Sequence, residues 1–304
     1  MTRGRRWLVQ LGALCLVCNT ALADGLSHPF FDKPILFGCH RGGAKWRPES
    51  TVKTFSELVK LYPEVMLECD VNMTKDRQIV VIHDGTVDRT TNGSGKISAM
   101  TLAEIQALDA GYRWTKDRGQ TFPYRAKGYR IPTLAEALAV APDNNWLVEL
   151  KDQPGIDVAL VVEAIQKAGM VDRVLLASFN PDLMAAAKAE NPSIARCFNS
   201  ETREGLVAAL RGEDWDNYEP PDHVFSLWYS RIDRYAIDYR DFDAIQAKGI
   251  PICAYVINDL DEMEALLKLG VQSMLTDYPN DLDSVLVDWQ RRKIKTLDPE
   301  ASNR

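Results

Sequence analysis

The chain predicts an α/β fold, a (β/α)8 TIM barrel with a small inserted cap region after the third strand. Three observations lead there. Short, nearly continuous apolar runs rich in Val, Ile and Leu recur along the chain, the pattern of strands buried on both faces of a parallel sheet. Helical stretches with an apolar face separate them, as crossovers between parallel strands require. The 304 residues are 46% apolar and carry no Gly/Ser linker, low-complexity tract or sequence repeat after residue 24. That suits one large core, and a barrel of this kind takes about 250 residues.

The expected strands are Ile35–Cys39, Val65–Val71, Gln78–His83, Trp146–Leu150, Val174–Ser178, Ile194–Phe198, Val224–Trp228, Ile250–Ile257 and Ser273–Thr276. Expected helices include Ser50–Leu61, Thr101–Leu108, Thr133–Val140, Asp157–Ala168, Pro181–Glu190 and Leu260–Leu269. Nine strands for eight barrel places leave one extra. The stretch from Val71 to Gln78 is too short for a helical crossover, which takes a dozen or more residues. Thr74-Lys75-Asp76-Arg77 reads instead as a tight turn, so a hairpin is expected there, with Glu68 roughly opposite His83. Residues 84–132, rich in Gly and aromatics, read as a cap inserted within the same domain (24–304). The polar end, Arg291–Arg304, is expected to fray.

Residues 1–23 read as a secretory signal. Arg3, Arg5 and Arg6 precede the apolar run Trp7–Cys18, and Ala21-Leu22-Ala23 offers small residues for cleavage after Ala23. The run is shorter than the roughly 20 residues of a spanning helix. A periplasmic or secreted protein without stable membrane insertion is therefore expected. Cleavage removes three Arg and no acid, leaving 33 basic against 43 acidic side chains, or −10. An acidic chain without a basic stripe is a poor nucleic-acid binder. Cys39, Cys69, Cys197 and Cys253 are too widely spaced for a zinc site and sit in apolar segments, so they read as buried small hydrophobes, with a Cys39–Cys69 disulfide as the alternative in an oxidising compartment.

Chemistry concentrates at strand ends. His40-Arg41-Gly42-Gly43 follows the first strand. Histidine moves protons near neutral pH, arginine binds phosphate bidentately, and glycines let backbone approach a ligand. In Glu68-Cys69-Asp70 the two acids share one strand face. Two inward carboxylates are costly to bury unpaired, and a hard divalent cation, Ca2+ or Mg2+, resolves that cost. His83 ends another apolar strand, and it pairs with His40 as a candidate acid and base. Glu149 and Lys151 share a face at the end of Trp146–Leu150. The acid suits the cation's ligand set, and the lysine suits phosphate oxygens. His28 and His223 lie in Pro-flanked loops and read as structural or exposed. Trp114 and Trp228 are read as core residues, with the pocket wall as the alternative.

These motifs resemble a known family. His40-Arg41-Gly42, Pro48-Glu49-Ser50-Thr51, Glu68-Cys69-Asp70-Val71, Thr74-Lys75-Asp76, Val80-Val81-Ile82-His83-Asp84 and Arg89-Thr90-Thr91 stand in the order and spacing of the glycerophosphodiester phosphodiesterases. Ile131-Pro132-Thr133-Leu134, Glu149-Leu150-Lys151, Ser178-Phe179 and Thr276-Asp277-Tyr278-Pro279 continue the match. The resemblance implies a barrel enzyme that hydrolyses small glycerophosphodiesters to glycerol 3-phosphate and an alcohol. It implies Glu68, Asp70 and Glu149 as cation ligands, His40 and His83 as acid–base pair, and Arg41 and Lys151 on phosphate. Glu49 would orient His40 or Arg41 or reach the metal through water, and Phe179 and Tyr255 would contact substrate. The chain departs from the family at Ser50, where Asn is usual, and at Tyr255, where Trp is frequent. Ser50 is expected to cap the following helix. Lysophospholipids and polyglycerolphosphate are alternative substrates for the same site, and a non-catalytic phosphate-ester binder is the alternative of another class. A lipid substrate calls for an apolar rim, and no amphipathic helix or apolar loop for one is evident in the sequence.

Overall fold

The computed structural model describes residues 28–297, apart from 154, 213, 231 and 233–235 and the side chains of 294–297. The expected signal and its cleavage point lie outside the described residues, as do residues 298–304. Among the described residues nine strands form one sheet: β1 Phe37–Cys39, β2 Met66–Met73, β3 Ile79–Val81, β4 Trp146–Leu150, β5 Val174–Ala177, β6 Ala195–Arg196, β7 Phe225–Trp228, β8 Ile252–Tyr255 and β9 Ser273–Thr276. Eight of them run side by side in the order β6-β5-β4-β2-β1-β9-β8-β7, with every pair along that path parallel. A parallel bridge between Cys197 and Val224 joins the two ends of the path and closes the barrel.

The extra strand is β3, which pairs antiparallel with β2 across the Thr74–Arg77 turn. Its register sets Val71 against Val81. That is one residue away from the expected opposition of Glu68 and His83. The helices are α1 Val52–Leu61, α2 Leu102–Gln106, α3 Leu134–Leu138, α4 Val158–Lys167, α5 Pro181–Glu190, α6 Ser200–Arg211, α7 Tyr239–Ala247, α8 Leu260–Lys268 and α9 Pro279–Leu297. Helix α9 continues past Arg291, where fraying was expected, and Arg292 bonds Glu264 of α8 at 2.8 Å. Among the described residues no helix is long and apolar enough to cross a membrane.

Alternation along the strands sorts side chains between the barrel interior and the helix layer. On β2, Leu67, Cys69 and Val71 join the outer core under α1, α3 and α4, whereas Met66 points inward with Leu147, Leu175, Cys253 and Leu275. Glu68 and Asp70 share the inward parity of Met66. Fully buried Phe30, from the turn Pro29–Asp32, belongs to the inner cluster. Gly38 is required on β1, because a Cβ there would stand 2.4 Å from the Leu275 side chain. All four described cysteines are buried and unbonded, two in the outer layer and two inside.

Between β3 and α3 the excursion has its own small core of Val87, Ile97, Ile105, Ala110, Tyr129 and Ile131 against Val80 and Ile82. Trp114 does not reach the barrel cavity. Its indole N–H donates to the Ala44 carbonyl at 3.0 Å and ties the excursion to the loop after β1.

Closure between β6 and β7 depends on a polar cluster. The Arg196 guanidinium donates to Asp222 at 3.1 Å and to the carbonyls of Pro192 and Ile194, and its backbone N–H donates to the His223 ring. Both Arg196 and Asp222 are buried. Burial, aided by Arg196 and His28, pushes His223 down to about 4, so the ring stays neutral and accepts that hydrogen bond. Arg196→Ala would strand the Asp222 carboxylate without its partner. It should cost about 3–5 kcal/mol in denaturant unfolding, and a loss under 1 kcal/mol (roughly the worth of an exposed pair) would show that closure does not need the pair.

Candidate active site

The site assembles where the parallel strands end. After β1 the chain turns sharply, with Arg41, Gly42 and Gly43 at φ of 51°, 76° and 91°. A Cβ on Gly42 would meet the Phe55 ring at 2.9 Å, so only glycine lets the turn sit on α1. The turn aims the Arg41 backbone N–H at Glu68 Oε2, 2.6 Å away. Ser50 does not cap α1. Thr51 does, accepting from the Thr54 N–H, while Ser50 is buried at φ 55°. Asn tolerates that left-handed conformation better than Ser, which accounts for the family's usual residue.

Parallel register brings the acids together. Asp70 on β2 pairs with Glu149 on β4, and carboxylate oxygens of Glu68, Asp70 and Glu149 lie within 4.8 Å of one another. Lys151 Nζ stands 2.7 Å from Asp70 and 2.8 Å from Glu149, and Arg41 Nε stands 3.3 Å from Asp70. Burial and the neighbouring Asp70 hold the Glu68 carboxyl far above the usual range, against the pull of His40 and Arg41. Glu149 is raised by burial in spite of Lys151. For Asp70 burial is outweighed by Lys151 and Arg41, and its pKa is lowered. Both Asp70 oxygens are buried and, although within ion-pair distance of those cations, are not aligned with a hydrogen-bond donor. An all-oxygen set with unmet acceptor capacity and costly negative charge fits a hard divalent cation.

The histidines stand on either side of this cluster, each held by its own acid. His40 Nδ1 is 2.8 Å from Asp277, and His83 Nδ1 is 2.7 Å from Asp84. Asn258 fixes Asp277 from two directions, its amide donating to Oδ2 and its oxygen accepting the Asp277 N–H. Burial opposes protonation of His40, but the Asp277 hydrogen bond and the field of Glu68 outweigh it and raise its pKa. Burial lowers that of His83, aided by Arg41 and Lys151 and opposed by Asp70 and the Asp84 hydrogen bond.

A cavity of about 350 Å³ opens above the cluster, bordered by His40, Arg41, His83, Lys151, Phe179 and Tyr255 among others. Trp228 also borders it, half-exposed, so the core reading of that residue is corrected. Glu49 does not border it. It accepts from Arg41 at 3.2 Å and from both terminal nitrogens of Arg89 at 2.7 and 2.8 Å, and Arg89 reaches on to Asp84. Of its expected partners Glu49 holds Arg41, and through Arg89 it links the two histidine arms, whereas His40 is held by Asp277. Asp277, Asp84, Arg89 and Arg203 were not assigned roles from sequence. Thr276-Asp277 and Asp84 do end strands, the signal by which the other site residues were found. Arg203, in the first turns of α6, reaches the cavity with its guanidinium 5.5 Å from the Phe179 ring, and no local pattern marks it.

Comparison with known proteins agrees with this geometry. The chain is 32% identical over 251 residues to a glycerophosphodiester phosphodiesterase of Caldanaerobacter subterraneus, covering 80% of this chain and 94% of the relative. It is 26% identical to a human lysophospholipase D, covering 90% and 92%. Among solved structures, a phosphodiesterase of Oleispira antarctica in complex with the product sn-glycerol-3-phosphate superposes with a TM-score of 0.70 at 28% identity, over 86% of this chain and 99% of that one. A glycerophosphodiester phosphodiesterase of Agrobacterium tumefaciens gives 0.65 at 25%, over 82% and 99%. The profile of the glycerophosphoryl diester phosphodiesterase family matches residues 40–281. With the barrel, the strand-end histidines and the acidic cluster in place, the chain belongs to the glycerophosphoryl diester phosphodiesterase family and is a phosphoric diester hydrolase.

Proposed function

We propose that the protein hydrolyses glycerophosphodiesters to sn-glycerol 3-phosphate and an alcohol, with a divalent cation held by Glu68, Asp70 and Glu149 and proton transfer by His40 and His83. The observation that carries the reading is the meeting of two buried carboxylates and a third, half-buried one with two acid-anchored histidines at the mouth of one barrel. When bound, the cation supplies Lewis-acid polarisation of a phosphoryl oxygen. Arg41 and Lys151 place positive charge beside the phosphate. One histidine takes the proton of the attacking oxygen, and the other delivers a proton to the departing alcohol. Asp277 and Asp84 each hold one ring nitrogen, which leaves the other free for substrate. Phe179, Trp228 and Tyr255 form an apolar wall along one side of the cavity. The Oleispira antarctica protein, solved with sn-glycerol-3-phosphate, supports this product class for the shared fold.

Release of glycerol 3-phosphate from glycerophosphocholine should stop in EDTA and return with Ca2+ or Mg2+. The restoring ion should also raise the melting temperature of the stripped protein, by about 2.7 kcal/mol of stability at a hundred times its Kd. Activity that survives complete chelation, without any thermal shift on add-back, would remove the cation from the reading. His40→Ala and His83→Ala should each lower kcat by about 10²–10⁴-fold with circular dichroism unchanged, and full turnover in either variant excludes that residue as acid or base.

We also propose export, on the basic, apolar and small-residue order of residues 1–23. Intact mass of the protein recovered outside the cytoplasm should start at Asp24, and recovery of the full-length chain from the cytoplasm alone would refute export.

A further inference from the structure

Charge is unevenly spread over this protein. The chain as a whole carries −7, yet residues 110–130 hold six basic side chains and one acid, or +5, which leaves −12 on the other 283 residues. The six, Arg113, Lys116, Arg118, Arg125, Lys127 and Arg130, are all exposed. Among the described residues none of them pairs with a carboxylate, whereas Arg77, Arg211, Arg240, Arg291 and Arg292 on the rest of the surface each do. The lone acid, Asp117, serves its own turn. It accepts from the Thr121 hydroxyl and N–H, the Thr115 hydroxyl and the Gln120 N–H, and these bonds bring its pKa down to about 2. Rings brace the cations. The Arg125 guanidinium stands 4.1 Å from the Tyr112 centroid and 3.6 Å from that of Phe122, and Lys116 stands 5.8 Å from that of Trp114. Two further exposed lysines adjoin the lobe, Lys45 next to the Ala44 carbonyl that holds Trp114, and Lys53 of α1, whose Nζ donates to the Lys127 carbonyl. The lobe stands beside the mouth, because Trp114 is tied to the loop after β1 and Arg113 donates to the Thr91 carbonyl.

We propose that this lobe docks on the surface of an anionic phospholipid bilayer, a peripheral contact that sets the active-site mouth beside the lipid head groups. Charge and shape select the partner. Exposed cations without carboxylate partners complement lipid phosphates, and each Lys or Arg close to such a surface adds to the binding. Charges more than about 8 Å apart are largely screened at physiological salt, so the acids on the other faces do not cancel the patch. The half-buried rings of Trp114, Phe122 and Tyr124 have the amphipathic or apolar character of residues that settle at head-group depth. A nucleic acid fits less well. Residues 108–132 form no helix or strand to enter a groove, and Arg125 covers the Tyr112 and Phe122 rings on which bases would stack. The docking does not depend on the hydrolysis reading. It gives that reading a setting, because removal of both acyl chains from a glycerophospholipid releases a glycerophosphodiester at the bilayer surface.

The test is sedimentation with vesicles of phosphatidylglycerol and phosphatidylcholine in equal parts, against vesicles of phosphatidylcholine alone, for the wild type and for the triple variant Lys116→Gln/Arg118→Asn/Lys127→Gln. None of the three borders the catalytic cavity, and Asn tolerates the φ of 57° found at Arg118. Both proteins carry the same residues 1–23, so a difference between them reports the lobe. The wild type should bind the mixed vesicles at about 0.1 M salt, leave them at about 0.5 M and ignore phosphatidylcholine. The triple variant, with circular dichroism unchanged, should bind at least about tenfold more weakly. Should it misfold, the same loss is expected of Lys127→Gln/Arg130→Gln. No binding to the mixed vesicles, equal binding to both kinds, or binding untouched by the substitutions overturns the docking role. Retention on duplex DNA or heparin without vesicle binding assigns the patch to a linear polyanion and overturns it as well.

Discussion

Two carboxylates on the inward face of β2 set the terms for the rest of the molecule. Strand alternation places Glu68 and Asp70 inside a barrel whose floor is Met66, Leu147, Leu175 and Phe30. Buried negative charge is costly unless it is paired, and the surrounding strands are arranged around that cost. β4 contributes Lys151, the loop after β1 contributes Arg41 and a backbone N–H, and Glu149 completes an oxygen-lined socket. The same charges then act on the histidines. Burial lowers the pKa of both rings; at His40 the Asp277 hydrogen bond and Glu68 outweigh it, and at His83 it prevails, helped by Arg41 and Lys151. Two chemically identical side chains are thereby driven apart, which is what the proposed acid–base pairing calls for.

Support for this cluster comes from outside the barrel wall. Glu49, just ahead of α1, binds Arg41 and Arg89, and Arg89 binds Asp84, which holds His83. The excursion after β3 therefore bears on the position of His83, and Trp114 anchors that excursion to the loop that carries His40. On the other side, Asn258 after β8 clamps Asp277 after β9, and Asp277 clamps His40. Each histidine arm is fixed by residues from more than one loop, so neither ring depends on a single contact.

Much of this was legible in the chain. All nine strands were located, and the short gap between Val71 and Gln78 identified the extra one as a hairpin. The misplaced details share a cause. Ser50 was expected to cap α1 because serine caps helices, but the turn places it one residue before the cap in a left-handed conformation. The hairpin register differed by one residue because turn length is not readable to that precision. Glu49 was expected to orient His40 or Arg41 or to reach the metal through water; it binds Arg41, and its other partner, Arg89, lies on a different loop that the motif did not indicate.

The sequence by itself determined the layers. Periodicity sorted inward from outward residues, and strand-end chemistry named His40, Arg41, Glu68, Asp70, His83, Glu149 and Lys151, because those signals are local and repeat at a spacing the backbone imposes. Only the tertiary structure decided the pairings. Asp277 lies 237 positions from His40, and one cavity brings Phe179, Trp228 and Tyr255 together from the ends of three different strands. Such contacts follow from barrel closure, which places the ends of distant strands side by side, and no window along the chain contains that information.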